Sequence, residues 1–137
     1  MPGSPAPVRF LVIDDSGFQC SAVRRLLEER FGPRIEVETY TDPRAALDRL
    51  DPEVDVLLLD WEMPGLDGAA VLEEARRRGV DPKRVVIRSS HHADELHERF
   101  DDEGCLCVIE KGEREQQAAF LMILDGLVRR AERRASG

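Results

Sequence analysis

No apolar run in this chain of 137 residues approaches the roughly 20 residues that a membrane-spanning helix needs, which argues against a membrane span. The opening residues 1–7 (MPGSPAP) lack the basic n-region and apolar h-region of a secretory signal and read as a short flexible leader. Cysteine is scarce and odd in number: Cys20, Cys105 and Cys107 make no even disulfide set, which fits a reducing, cytoplasmic setting. No further ligands stand at metal-site spacing from Cys105 and Cys107, so buried thiols are the expectation there. Basic charge is in deficit. The net charge is −8 and the pI about 4.9, which argues against a partner of general polyanionic character, whether nucleic acid or an anionic membrane. Lysine occurs only twice among 20 basic residues, so each lysine is mildly informative. Neither a long linker nor an internal repeat is visible, and the length fits one domain with a single core.

What is present is an alternation. At 42% hydrophobic and 35% charged, the composition is that of a folded globular domain. Short apolar runs at residues 8–13 (VRFLVI), 35–40 (IEVETY), 54–59 (VDVLLL), 84–88 (RVVIR) and 105–109 (CLCVI) read as strands. Helical spacing separates them. Ser16 stands as the N-cap of a first helix with Val23, Leu26, Leu27 and Phe31 inward, ended by Gly32-Pro33. Thr41 or Asp42 caps a second that starts at Pro43 and turns Ala46, Leu47 and Leu50 inward. A third follows Asp67-Gly68 with Val71, Leu72 and Ala75 as its stripe, and a polar fourth spans residues 93–101. A long last helix, about residues 113–134, buries Phe120, Leu121, Ile123, Leu124, Leu127 and Val128. The arginines near its end, Arg129, Arg130, Arg133 and Arg134, suit the negative pole of the helix. Five βα units with continuous apolar strands predict an α/β fold, a parallel sheet covered by helices on both faces. Right-handed crossovers bring all strand C-terminal ends to one edge, where ligand chemistry in open sheets sits.

Several polar residues meet at that edge. Asp14 and Asp15 follow the first strand, Asp60 the third, Ser89 and Ser90 the fourth, and Lys111 comes just after the fifth. Each alone is an ordinary cap or turn residue, and Ser16 and Asp67 are read as caps. Jointly they are three acids, a hydroxyl and an ammonium. Close acids repel. A hard divalent cation such as Mg²⁺ relieves that, using carboxylate oxygens, waters and a phosphoryl oxygen, and lysine supplies a mobile point charge for phosphate.

These residues carry a resemblance. Val12-Ile13-Asp14-Asp15, the stretch from Asp60 through Trp61-Glu62-Met63-Pro64-Gly65-Leu66 to Asp67-Gly68, Ser89 closing RVVIRS, and Lys111 in VIEK resemble the receiver domain (CheY-like) of bacterial two-component response regulators. The resemblance spans nearly the whole chain and places a receiver domain over residues 8–134, with residues 135–137 as a tail. It implies a three-layer (βα)5 flavodoxin-like, doubly wound sheet of strand order 2-1-3-4-5. It implies that Asp60 is the phosphoacceptor, taking the phosphoryl group from a sensor histidine kinase or phosphotransfer protein. Asp15, Asp60 and the backbone carbonyl of Glu62 would hold Mg²⁺, with Asp14 helping directly or through water. Lys111 would contact one phosphoryl oxygen and Ser89 would donate to another. The expected role is a phosphorelay phosphoprotein, a signalling phosphoacceptor and not an enzyme. It would be stand-alone and cytoplasmic, without direct contact to nucleic acid or membrane. Output would pass to a protein target, or to a dimer formed on phosphorylation, through the face of the fourth helix, fifth strand and fifth helix (α4-β5-α5).

The chain departs from the family's pattern at three places. Val108 stands where the family usually has an aromatic residue. Gly112 follows Lys111 where the family usually has a proline after a cis bond, so a trans bond is expected, since a cis bond without proline costs about 3 kcal/mol. His91 and His92 follow Ser90 and suggest a surface specialised for a partner; with His97 they lack the spacing of a metal pair on one helical face. Two rival readings stand beside the first. A receiver-like interaction module working without phosphorylation is kept open by Val108 and Gly112. A haloacid-dehalogenase-like phosphatase would also use Asp60-x-Glu62, but it would place its second acidic pair after the nucleophile, whereas Asp14-Asp15 precedes it.

Overall fold

In the computed structural model, the structure describes residues 6–63, 68–89, 107–110 and 114–136. Five parallel strands, β1 (Val8–Ile13), β2 (Ile35–Tyr40), β3 (Val56–Asp60), β4 (Val85–Ser89) and β5 (Cys107–Glu110), form one sheet of order β2-β1-β3-β4-β5. The strand order expected from the resemblance is therefore the one observed. Register runs Phe10 against Val37 and Val56, Leu58 against Val86, and Ile87 against Val108.

Strand alternation divides the core into two layers. Phe10, Val12, Val56, Leu58 and Val86 point to one face, where they meet Val23, Leu27 and Phe31 of α1 (Gly17–Phe31) and Phe120, Leu124, Leu127 and Val128 of the C-terminal helix (Arg114–Ser136). Leu11, Ile13, Leu57, Leu59, Val85 and Ile87 point to the other, against Ala46, Val71, Leu72 and Ala75. The last three of these belong to α3 (Gly68–Arg77). Each large apolar side chain so buried contributes about 1.5–3 kcal/mol. Burial on both faces is why β3 reads as an unbroken apolar run and not as an alternating one.

Local chemistry sets the ends of α1. Ser16 Oγ accepts from the Gln19 N–H at 3.2 Å. Gly32, at φ +55°, closes the helix in a conformation that side chains disfavour. The second helix is shorter than its spacing suggests: α2 covers only Pro43–Ala46, capped by Asp42, and a 3-10 turn over Leu47–Arg49 replaces its remainder. The apolar positions still deliver Ala46 and Leu50 to the core, so the core needs their placement more than it needs a regular helix. Strand limits also shift slightly. β3 begins at Val56 rather than residue 54 and includes Asp60 itself; β4 includes Ser89. The described part of β5 starts at Cys107, and the predicted fourth helix and Cys105 lie outside the described residues. The C-terminal helix runs to Ser136.

Paired side chains tie the C-terminal helix to α1 and to the turn after it. Arg30 grips Asp125 through Nε at 2.9 Å and Nη2 at 2.6 Å. Arg34 holds Glu132 in the same forked way at 3.0 and 2.8 Å. Near the helix end, Arg134 Nη2 lies 3.4 Å from Asp55 Oδ1. Among the described residues, no helix is long and apolar enough to cross a membrane.

Candidate functional site

The strand order reverses between β2-β1 and β3-β4-β5, which makes the β1/β3 boundary the switch point of the sheet. Asp14 leaves β1 on one side of it and Asp60 ends β3 on the other. Carboxylate oxygens of Asp14, Asp15 and Asp60 all lie within 4.8 Å of one another. Asp14 and Asp60 are buried, whereas Asp15 is exposed. The sequence-predicted acids thus share one site, with its open side at Asp15.

Backbone groups orient the two buried acids. Asp14 Oδ1 accepts the N–H of Ser16 at 3.0 Å, so the residue that caps α1 also fixes the carboxylate. The Asp14 N–H donates to the Tyr40 carbonyl at 3.1 Å, and the Cys20 thiol donates to the Asp14 carbonyl at 3.3 Å. Asp60 Oδ1 accepts the N–H of Glu62 at 3.2 Å, and the N–H of Trp61 donates to the Arg88 carbonyl at 2.9 Å. The Trp61 ring closes the floor beside α3. A Cβ placed on Gly68 would stand 2.5 Å from Trp61 Cε3, so the start of α3 meets the tryptophan at a distance that only glycine permits.

Arg88 is a functional candidate that the sequence reading did not single out. It pairs in register with Asp60, on the same sheet face as Val86 and Leu58. Its Nη1 lies 3.9 Å from Asp14 Oδ2, and its side chain is 12% exposed. The guanidinium stacks over the Phe120 ring at 5.5 Å. Desolvation pulls its pKa below the usual arginine value, while the charges of Asp14, Asp60 and Cys20 act to raise it; an arginine remains charged in this setting. The available signal was a charged residue at a face position of an otherwise apolar strand, one residue before Ser89. Arg88 also borders a surface groove with Phe18, Ala22, Leu26 and Gln117, which includes none of the three acids. That groove lies beside the site and is not its mouth.

Of the other predicted site residues, Glu62 is half-buried beside Asp60. Ser89 ends β4 in register with Glu110. Lys111, Ser90, His91, His92, His97, Gly112 and the Pro64 to Asp67 part of the turn lie outside the described residues, and with them the expected trans bond after Lys111. The donor set suits a hard divalent cation, since three carboxylates converge and two of them are withdrawn from bulk water.

A parallel α/β sheet with an acidic cluster at its switch point defines a class of protein, and comparison narrows it. Residues 10–120 match the model of the response regulator receiver domain, and the chain belongs to that family. It is 37% identical over 92 residues to protein-glutamate methylesterase/protein-glutamine glutaminase 5 of Myxococcus xanthus, covering 66% of this chain and 26% of that protein. It is 33% identical over 116 residues to a putative transcriptional regulator of Haloferax volcanii, covering 85% of this chain and 19% of that protein. The chain therefore spans about a quarter or less of these relatives. Among solved structures, the fold is shared with Vibrio cholerae chemotaxis protein CheY4, at TM-score 0.69 and 23% identity over 85% of this chain and 98% of that one. It is also shared with the beryllofluoride-activated receiver domain of Klebsiella pneumoniae RstA, at TM-score 0.73 and 21% identity over 88% of this chain and 98% of that one.

Proposed function

We propose that Asp60 accepts a phosphoryl group from a sensor histidine kinase or phosphotransfer protein, and that this cytoplasmic chain acts as a stand-alone receiver signalling through phosphorylation-dependent protein contacts. The observation that carries this reading is the placement of Asp60 at the tip of a wholly buried strand, with its carboxylate within 4.8 Å of those of Asp14 and Asp15. Burial of Val56–Asp60 holds the nucleophile at a fixed height on the sheet edge. The Glu62 N–H at 3.2 Å holds one carboxylate oxygen, and the other would be the attacking atom. That oxygen forms a bond to phosphorus as the phosphorus–nitrogen bond of the phosphohistidine breaks. The imidazole keeps the bonding pair and takes a proton, and Asp60 becomes an aspartyl phosphate.

Asp15, Asp60 and the Glu62 backbone carbonyl would hold Mg²⁺, with Asp14 assisting directly or through a water. Bound there, the ion would supply positive charge to neutralise and align the transferring phosphoryl group. Lys111 then pairs with one phosphoryl oxygen and Ser89 donates to another. Water attack on phosphorus returns inorganic phosphate and the Asp60 carboxylate. The expected output surface is the one formed by the segment after β4, β5 and the C-terminal helix.

Beryllofluoride titration in Mg²⁺ tests the reading. The one tryptophan, Trp61, adjoins Asp60 and reports occupancy by its fluorescence. A saturable change in wild type that is absent in Asp60→Asn is the expected result. No change in either protein would favour a module that works without phosphorylation.

A further inference from the structure

Arg88 Nη1 is buried and has no hydrogen-bond partner among the described residues, although it lies 3.9 Å from Asp14 Oδ2. A buried guanidinium is costly unless its charge is balanced, and an orphan buried donor calls for a reason. Packing accounts for only part of the position. Stacking on Phe120 holds the plane of the group but satisfies none of its N–H donors. The balancing charge is on the other side, in Asp14 and Asp60, both of which act on Arg88 electrostatically. The separation from Asp14 is that of an ion pair without a hydrogen bond. This lets the two groups attract without locking the carboxylate.

We infer that Arg88 is a resident counter-ion of the acidic cluster and that it lowers the cluster's affinity for a divalent cation by competing with it for Asp14. The inference rests on the phosphoacceptor reading of the site. Without a divalent ion, three carboxylates crowd within 4.8 Å, and one fixed positive charge beneath them offsets part of their repulsion. When a divalent ion enters, the same positive charge repels it and has already claimed part of Asp14. Arg88 is thus a positioning residue. It keeps the acids in place and makes cation binding weaker than three acids alone would give.

The test compares wild type, Arg88→Met, Arg88→Gln and Arg88→Lys. Met keeps the length of the side chain over Phe120, Gln keeps a polar tip, and Lys keeps the charge. Mg²⁺ binding is followed by Trp61 fluorescence and by calorimetry, and the rise in melting temperature on adding Mg²⁺ serves as a readout independent of phosphorylation. The inference predicts about tenfold tighter Mg²⁺ binding in Arg88→Met and Arg88→Gln from removal of one nearby unit charge, with a larger Mg²⁺-induced rise in melting temperature. Arg88→Lys should bind close to wild type. Equal or weaker binding in both neutral variants would overturn it. Asp60 labelling by acetyl phosphate at saturating Mg²⁺ separates the two readings: labelled wild type with unmoved affinities sinks the Arg88 role alone, whereas no Mg²⁺ binding and no labelling in any protein sinks both.

Discussion

Replacing Gly68 with alanine should damage the floor of the site in a measurable way. The added Cβ would meet Trp61 Cε3 at 2.5 Å, Trp61 Cα at 3.0 Å and Trp61 Cδ2 at 3.1 Å. Carbon atoms pack favourably at about 3.5–4.0 Å, so something must retreat by about 1 Å. Rotating the ring alone does not suffice, because one of the three contacts is to backbone. Either the first turn of α3 moves away from the sheet or the residue after Asp60 does. Overpacking of this kind costs about 1–3 kcal/mol, against a gain of up to about 1 kcal/mol from replacing a helical glycine. The net loss is up to about 2 kcal/mol, or up to about 8 °C in melting temperature for a domain of this size. Circular dichroism melting measures the stability, and the emission spectrum of Trp61 measures the displacement. A Gly68→Ala protein as stable as wild type, with an unchanged Trp61 spectrum, would refute the reasoning.

Other expectations follow from separate parts of the molecule. Leu124 is fully buried between the sheet and α1, so Leu124→Ala should lose about 2–5 kcal/mol in urea unfolding; a loss below about 1 kcal/mol would mean that the C-terminal helix contributes little packing there. Glu62 is held beside Asp60 through its own N–H, where its charge would act on incoming anions or on the attacking water; Glu62→Asn should change the aspartyl-phosphate lifetime several fold, and superimposable decay curves would dismiss that role. Hydrogen bonds from Arg49, Arg30 and Arg34 hold the pKa values of Glu38, Asp125 and Glu132 below their ordinary 4.5, 3.8 and 4.5. Lowered carboxylate values contribute stability that is present above those ordinary values and lost as pH falls through the folded ones. Thermal stability should therefore drop on acidification below about pH 4.5, and Arg30→Gln with Arg34→Gln should flatten that acid limb; an unaltered limb would show that these pairs are not the source.

Much of the fold could be read in the sequence because burial on both sheet faces writes itself as unbroken apolar strands. Leu57, Leu58 and Leu59 alternate between two core layers, yet appear in the chain as one run. The caps at Ser16 and Asp42 were legible for a local reason: each side chain accepts a backbone N–H within its own first turn. The shortness of α2 was not legible. Helical spacing at Ala46, Leu47 and Leu50 is also served by a 3-10 turn that places nearly the same residues inward. Asp14, Asp15 and Asp60 emerged from topology, since residues that follow parallel strands must meet at one edge. Arg88 did not emerge. A charge inside a strand is ordinarily read as solvent-facing, and only the register opposite Asp60 and the stacking on Phe120 reveal that it points under the acids.

Phosphoryl transfer to Asp60 with the help of the acidic cluster is the proposed chemistry of the site. Incubation with acetyl phosphate, with and without Mg²⁺, followed by intact-mass measurement and peptide mapping after borohydride reduction, tests it most directly. The expected result is a gain of one phosphoryl group in wild type only when Mg²⁺ is present, mapped to Asp60 and absent from Asp60→Asn. Unmodified wild-type protein in Mg²⁺, or modification that persists in Asp60→Asn, would contradict it.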